Sequence, residues 1–305
     1  MIILKERQVR LTMGKPERDG NTYGNGLMHR WLIAILRRID IRIIYIFTYI
    51  FVIPPCLFRP GFKHIYRYFR KQWGCNPVKA FLKTYLNHCM FAQVVIDRFA
   101  MYAGRHFHVD IEGMEYFQEL AARPEAFVQL SAHVGNYELA GYTLVSDKKR
   151  LNALVFFGEK QTVMNNRRIM FSDTNIRMIP IKGDMSHLFL IDQALENGEI
   201  MSMPADRIIG SQKIVKVKLL RSEVQLPLGP FSVPTMRSLD VLAVNVMKKS
   251  ALTYQIYVTP LHYDKTASRR EQIAQLSRAY ADELERILKM YPTQWYNYFD
   301  FWRLS

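Results

Sequence analysis

Cysteine is scarce in this 305-residue chain: Cys56, Cys75 and Cys89 form no close pair, and their odd count suits a reducing compartment without a disulfide framework. No two-residue cysteine spacing occurs, which argues against a thiolate metal site. Acidic residues are few as well. Against 42 Lys and Arg stand 27 Asp and Glu, giving a net charge of +15 and a pI near 9.7. Such a balance suits nucleic acid, an anionic membrane surface, or an acidic protein or substrate. No RNA-recognition or helix-turn-helix signature accompanies the charge, which leaves nucleic acid without a specific signal. No small-residue cleavage site follows the first apolar segment, so that segment is not a secretion signal. Internal repeats, low-complexity tracts and an interdomain linker are all missing, and no Gly-x-Ser-x-Gly elbow occurs.

What is present divides into three parts. Residues 1–26 form a polar, basic, glycine-containing lead, expected to be flexible. Residues 27–58 carry Arg30, Arg37, Arg38 and Arg42 in an amphipathic first half, then an uncharged run from Ile43 to Ile53, ended by Pro54 and Pro55. A full span needs about 20 apolar residues, so this segment reads as a membrane-associated interfacial helix with its arginines among anionic headgroups; a buried core helix is the alternative. Residues 59–305 form the main domain. After a helix from about Pro77 to Ala103, strands are expected at HFHVDIEG, EAFVQLSAH, NALVFFGEK, RMIPIKG, EIMSMPADR, VKVKLL and YQIYVTPLHY. Helices are expected at MNNRRIMFSDTNI, SHLFLIDQALENGE and from about Ser268 to Met290. Strands alternating with helices predict an α/β domain with a mixed, largely parallel sheet flanked by helices.

The stretch SAHVGNYELAG, residues 131–141, places His133 at the C-terminal end of a predicted buried strand, where α/β proteins present reactive groups. His133 can serve as a general base near neutral pH, with Glu138 holding its tautomer and stabilising its cation. Ser131 shares the strand face but sits in no nucleophile motif. Taken alone, a His-x4-Glu pair is common by chance, and a structural histidine is the ordinary reading. His106 and His108, on one strand face, lack a third ligand and read as an ordinary surface.

Four stretches in order alter that weighing. SAHVGNYE resembles the His-x4-Glu block of the lipid A biosynthesis (late) acyltransferases, relatives of the glycerolipid acyltransferases; Gly135 and Glu138 match, and Tyr137 stands where the family has Trp. MPADR, with Asp206 and Arg207, resembles the family's Asp with a polar or basic neighbour after a strand. LPLGPFSVPTMRSLDVLA, containing Gly229, resembles its glycine-containing acceptor region. YPTQWYNYFDFW resembles its ending, with Pro292, Gln294, Trp295 and Trp302 in the family's spacing. The chain departs from the pattern in lacking the Phe-Phe-Gly form of the acceptor region, and in carrying Phe299, Asp300 and Phe301 between the tryptophans, where the family has His and Arg.

The resemblance implies a glycerolipid-acyltransferase-like fold and transfer of a fatty acyl chain from an acyl-carrier-protein thioester to a hydroxyl of a lipid A-type precursor, at the cytoplasmic face of a bacterial inner membrane. His133 would be the base and Glu138 its orienter. Asp206, Arg207, Lys216, Lys218 and Gly229 would contact substrate, with Lys213 and Arg221 as further cations. Oxyanion donors would be backbone N–H groups near Gly135, or Arg207. Partners would be the acyl carrier protein, the lipid acceptor and the membrane surface, with no cofactor, metal or nucleic acid. Other readings keep the chemistry on a different acceptor (a lysophospholipid, an aminolipid or an aryl polyene lipid), or make the chain a non-catalytic scaffold or a basic nucleic-acid binder. Lys216 and Lys218 also suit a solvated strand edge, Asp206 with Arg207 a salt-bridged turn, and Trp295 and Trp302 either an interfacial anchor or simple packing.

Overall fold

The computed structural model describes residues 34–51, 60–156, 175–181, 183–208 and 213–302. The basic lead over 1–26, both ends of the 27–58 segment with Pro54 and Pro55, and the helix expected at MNNRRIMFSDTNI up to residue 174 lie outside the described residues.

Local sequence sets the helices. Asp40 accepts the Arg42 N–H at 2.9 Å and opens α1 (Ile41–Phe51), while α2 follows at Pro60–Lys71. Asn76 accepts the Lys79 N–H at 2.8 Å, and Pro77 sits at the first position of α3 (Pro77–Tyr102), which closes at Gly104 with φ 85°. The last helix carries a complete capping box, Ser268 with Glu271.

The strands β1 (His108–Glu112), β2 (Phe127–Ser131), β3 (Leu151–Phe156), β4 (Ile176–Ile181), β5 (Ile200–Pro204), β8 (Asp240–Lys248) and β9 (Thr253–Leu261) form one seven-stranded sheet in the order β1-β9-β8-β2-β5-β3-β4. Every neighbouring pair is parallel except β8 with β9, so the expected mixed, largely parallel sheet is present. Strands β6 (Ile214–Leu219) and β7 (Ser222–Pro227) form a separate antiparallel hairpin. The connecting helices are α4 (Met114–Ala122), the short α5 (Ala140–Thr143), α6 (Ser186–Glu196), α7 (Gly229–Met236) and α8 (Arg269–Met290). The sequence reading singled out neither β7 nor β8. Eight of the nine β8 residues are buried, so that strand has no alternation to read. The first strand begins at His108 and not at His106, so the two histidines do not form a strand-face pair; His108 Nε2 instead meets Asp110 at 3.0 Å on the surface.

Helices cover both sheet faces. Phe231, Leu276, Tyr280, Leu284 and Trp295 belong to one buried cluster, and Phe117, Phe127, Leu139 and Tyr254 to another. Each large side chain buried in this way contributes about 1.5–3 kcal/mol. Helix α1 buries Ile41, Tyr45 and Thr48 and leaves Ile43, Ile46, Phe47, Ile50 and Phe51 exposed. At 11 residues it spans about 16 Å, half of a bilayer core. Among the described residues no helix is long and apolar enough to cross a membrane, so a membrane-spanning N-terminal helix is not seen.

A buried ionic knot fastens α1 to the domain. Lys248 Nζ lies 2.5 Å from Asp97 Oδ2 and 3.0 Å from the Tyr45 hydroxyl, and the hydroxyls of Tyr45 and Tyr254 both donate to the Asp97 carboxylate. Burial pushes the Asp97 carboxyl up and the Lys248 ammonium down, and the attraction between them opposes both shifts.

Candidate functional site

Strands β2 and β5 are parallel neighbours with Ser131 opposite Pro204. Two residues beyond those ends come His133 and Asp206, so strand register alone brings them together at the carboxyl edge of the sheet. The His133 Nδ1 lies 2.6 Å from Asp206 Oδ1, and the His133 backbone N–H donates to Oδ2 at 3.0 Å. The Trp295 indole N–H and the Asn297 side-chain amide donate to the same Oδ2 at 3.1 and 3.3 Å. Burial of Asp206 opposes its ionisation; the charge and hydrogen bonds of His133, with Arg207, outweigh that and hold its carboxyl well below the usual carboxylate range. The Asp206 side chain is sealed at 0% exposure while the imidazole keeps 17%, so the pair has one solid end and one open end.

The turn carrying His133 is locked from two sides. Gly135 has φ 48°, and a Cβ there would come 1.8 Å from the Val246 carbonyl oxygen, so only glycine lets the loop lie against β8. The Gly135 N–H donates to Gln294 O and the Asn136 N–H to Val246 O, both at 2.9 Å. These two backbone donors are thus committed to protein carbonyls and not turned to a bound oxyanion. From the other side the C-terminal segment acts as a strap. Tyr296 N–H donates to His133 O, Val134 bridges Trp295, and the Gln294 side chain pairs with both backbone groups of Lys248 at 2.9 and 2.8 Å. The Pro-x-Gln-Trp segment therefore ties the histidine loop to β8 and supplies Asp206 with a donor. Trp302 packs edge-on against Trp295 with ring centres 5.9 Å apart.

Glu138 is buried and meets helix α3: Arg98 lies 3.3 Å from Oε1, and the Tyr102 hydroxyl donates to Oε2 at 3.1 Å. The carboxylate that the structure brings to Nδ1 of His133 is Asp206. Arg207 donates to Asn297 Oδ1 at 3.0 Å and to Tyr296 O at 2.8 Å, which binds the strap to the same loop. Ser131 offers its carbonyl to the Tyr280 hydroxyl and the Ala205 N–H.

The remaining expected contacts sit elsewhere. Lys216 and Lys218 are exposed on the separate hairpin; Lys216 lies 3.6 Å from Glu223, and the Lys218 carbonyl accepts from Arg278. Lys213 precedes the hairpin, with its carbonyl accepting the Leu228 N–H, and Arg221 lies in the hairpin turn, its N–H donating to Gln72. Gly229 opens α7 with nothing within 4 Å of a would-be Cβ, so the backbone does not demand glycine there. Arg98 and Asn297 were missed by the sequence reading; a helical arginine and a strap asparagine carry no local motif. Among the described residues no cluster of three or more metal-ligating side chains occurs.

Comparison with known proteins places residues 90–303, more than half of the chain, under a family model described as bacterial lipid A biosynthesis acyltransferase. The crystal structure of the 1-acyl-sn-glycerophosphate (LPA) acyltransferase PlsC from Thermotoga maritima is similar at a TM-score of 0.38 and 12% sequence identity, covering 85% of this chain and 100% of that one. No curated protein matches.

Proposed function

Because the chain belongs to the bacterial lipid A biosynthesis acyltransferase family, we propose that it moves a fatty acyl chain from an acyl-carrier-protein thioester to a hydroxyl of a lipid A-type precursor, with His133 as general base. The observation that carries this reading is the 2.6 Å contact between His133 Nδ1 and the buried Asp206. With Nδ1 committed to a carboxylate, Nε2 is the nitrogen that takes the proton. The acceptor hydroxyl oxygen attacks the thioester carbonyl as His133 removes its proton. The tetrahedral oxyanion then collapses, the C–S bond breaks, and the imidazolium returns the proton to the leaving thiolate. Asp206, in place of the expected Glu138, orients the ring and stabilises its cation. Arg207 stands beside Asp206 as the charged donor for the oxyanion.

A membrane setting, at the cytoplasmic face of the inner membrane, draws support from the exposed apolar face of α1, from the exposed Val78, Phe81 and Leu82 on α3, and from the net charge of +15. The same charge suits an acidic carrier protein. A second reading keeps the chemistry and changes the acceptor. It is favoured by the strap, where Phe301 packs 4.7 Å from Trp295 and Asp300 faces Arg67 at 4.0 Å, so this segment supplies no cation between its tryptophans.

Mass spectrometry of host lipids after deletion, with complementation by wild type or His133→Ala, tests the proposal. The expected result is loss of one acyl group from a lipid A-type species, restored by wild type only. Restoration by His133→Ala would overturn the mechanism, and a change confined to another lipid class would select the second reading. In a pelleting assay, the protein is expected to stay with membranes at high salt; complete release would overturn the apolar contact.

A further inference from the structure

Helix α3 sends two successive charged residues in different directions, as consecutive helical positions differ by about 100°. Asp97 turns into the knot with Lys248, Tyr45 and Tyr254 and is fully buried. Arg98 turns toward the histidine loop. Its guanidinium lies 4.7 Å over the Tyr137 ring, 3.3 Å from Glu138 Oε1 and 3.4 Å from Asn136 Oδ1. Tyr102, four residues on and on the same helical face, donates to the other oxygen of Glu138 at 3.1 Å. The Asn136 amide meets Met101 Sδ at 4.0 Å. The segment Asn136-Tyr137-Glu138 is therefore docked on one face of α3, and the Tyr137 ring held in this way meets the His133 imidazole edge-on, with centres 5.7 Å apart.

We propose that Arg98 is a positioning residue of this site: clamped by Glu138, it pins Tyr137 against His133 and so fixes where the imidazole stands. The proposal rests on the acyltransferase reading and deepens it, because it gives Glu138 a task that explains its five-residue offset from His133. An offset of five lets the carboxylate reach α3 through both of its oxygens. The neighbouring Asp97 knot makes this support stiff, since the Arg98 backbone is anchored one residue away by a sealed ion pair. The Arg98 side chain keeps 18% exposure and stands in the field of Arg207, so the site gathers two guanidinium groups and the imidazole around two carboxylates. Guanidinium suits this position because its plane can stack on the phenol ring while its edge meets the carboxylate, a geometry an ammonium lacks.

The test is a double-mutant cycle on the full-length protein, with steady-state transfer from acyl-acyl-carrier-protein to host lipid extract and thermal unfolding recorded for every variant. Arg98→Met and Glu138→Gln are each expected to lower kcat by about 10- to 100-fold, the range for an ångström-scale misplacement of a base, with the donor KM within about threefold of wild type. The double variant is expected to be no slower than the slower single one, because both changes break one clamp. Arg98→Lys is expected to recover part of the loss through its charge, and Tyr137→Ala to reproduce it without touching either charge. Where Arg98→Met does not fold, Tyr102→Phe replaces it and is expected to cost a few-fold in kcat. Multiplicative losses in the double variant, an unchanged kcat in Arg98→Met or its Tyr102→Phe stand-in, or a purely KM-borne loss would overturn the proposal. Wild-type protein that transfers no acyl group would overturn the functional reading itself, whereas active wild type with an indifferent Arg98 would overturn only the positioning role.

Discussion

Two buried pairs, each a carboxylate with a nitrogen base, lie at the carboxyl ends of β2's parallel neighbours β8 and β5, and they differ in one decisive respect. The Lys248–Asp97 pair is closed, with side-chain exposures of 2% and 0%, and is packed among two tyrosine hydroxyls. In the His133–Asp206 pair the carboxylate is equally sealed but the imidazole opens to 17%. A sealed pair can only hold elements together; here it fastens α1 and α3 to β8 and β9. A pair with one partly exposed end, built on an imidazole, has the geometry to pass a proton to a bound hydroxyl, as the proposed mechanism requires. Under the proposed mechanism the sealed pair is support and the partly exposed pair is chemistry, and exposure of the nitrogen partner separates the two.

Breaking each pair should give opposite signatures. Lys248→Met is expected to have the largest effect on stability, about 3–5 kcal/mol, because it leaves the buried Asp97 carboxylate without its counter-charge, held only by two tyrosine hydroxyls. Chemical denaturation measures this, and kcat per folded molecule is expected to stay within about threefold. Trp295→Phe acts on the open pair and is smaller. It removes the indole donor from Asp206, worth about 1.5–3 kcal/mol for a bond to a charged group, and is expected to appear as a roughly tenfold or greater loss in kcat with the unfolding midpoint lowered by a few degrees. The smallest effect is expected on the hairpin. Lys216→Ala and Lys218→Ala remove exposed charges worth within about 0.5 kcal/mol of stability. Any effect on transfer should be in donor KM and should fade as salt is raised. A kcat loss at either lysine would move the site's boundary out to the hairpin.

What the sequence made legible follows the reach of local signals. The helix starts near Pro77 and Ser268 were readable, as was the strand leading to His133, because each is encoded within a few residues. Strand β8 was not, since burial on both faces erases alternation. His133 and Asp206 were both singled out, but their pairing was not, because 73 residues separate them and only the β2–β5 register makes them neighbours. Glu138 drew attention by its closeness in sequence to His133, whereas its side chain runs to Arg98 and Tyr102 on α3, a helix that offers no motif. The ending YPTQW was legible through family resemblance alone; its physical task, with Gln294 bracing Lys248 and Trp295 feeding Asp206, emerges only from the fold.

The pairing of His133 with Asp206 is tested by the rate of acyl transfer by Asp206→Asn, measured on protein shown by thermal unfolding to be folded. A kcat loss of about 10²- to 10⁴-fold with little change in donor KM is expected, the cost of a base that has lost its orienting carboxylate. A folded Asp206→Asn enzyme working within about threefold of wild type would contradict that role for Asp206.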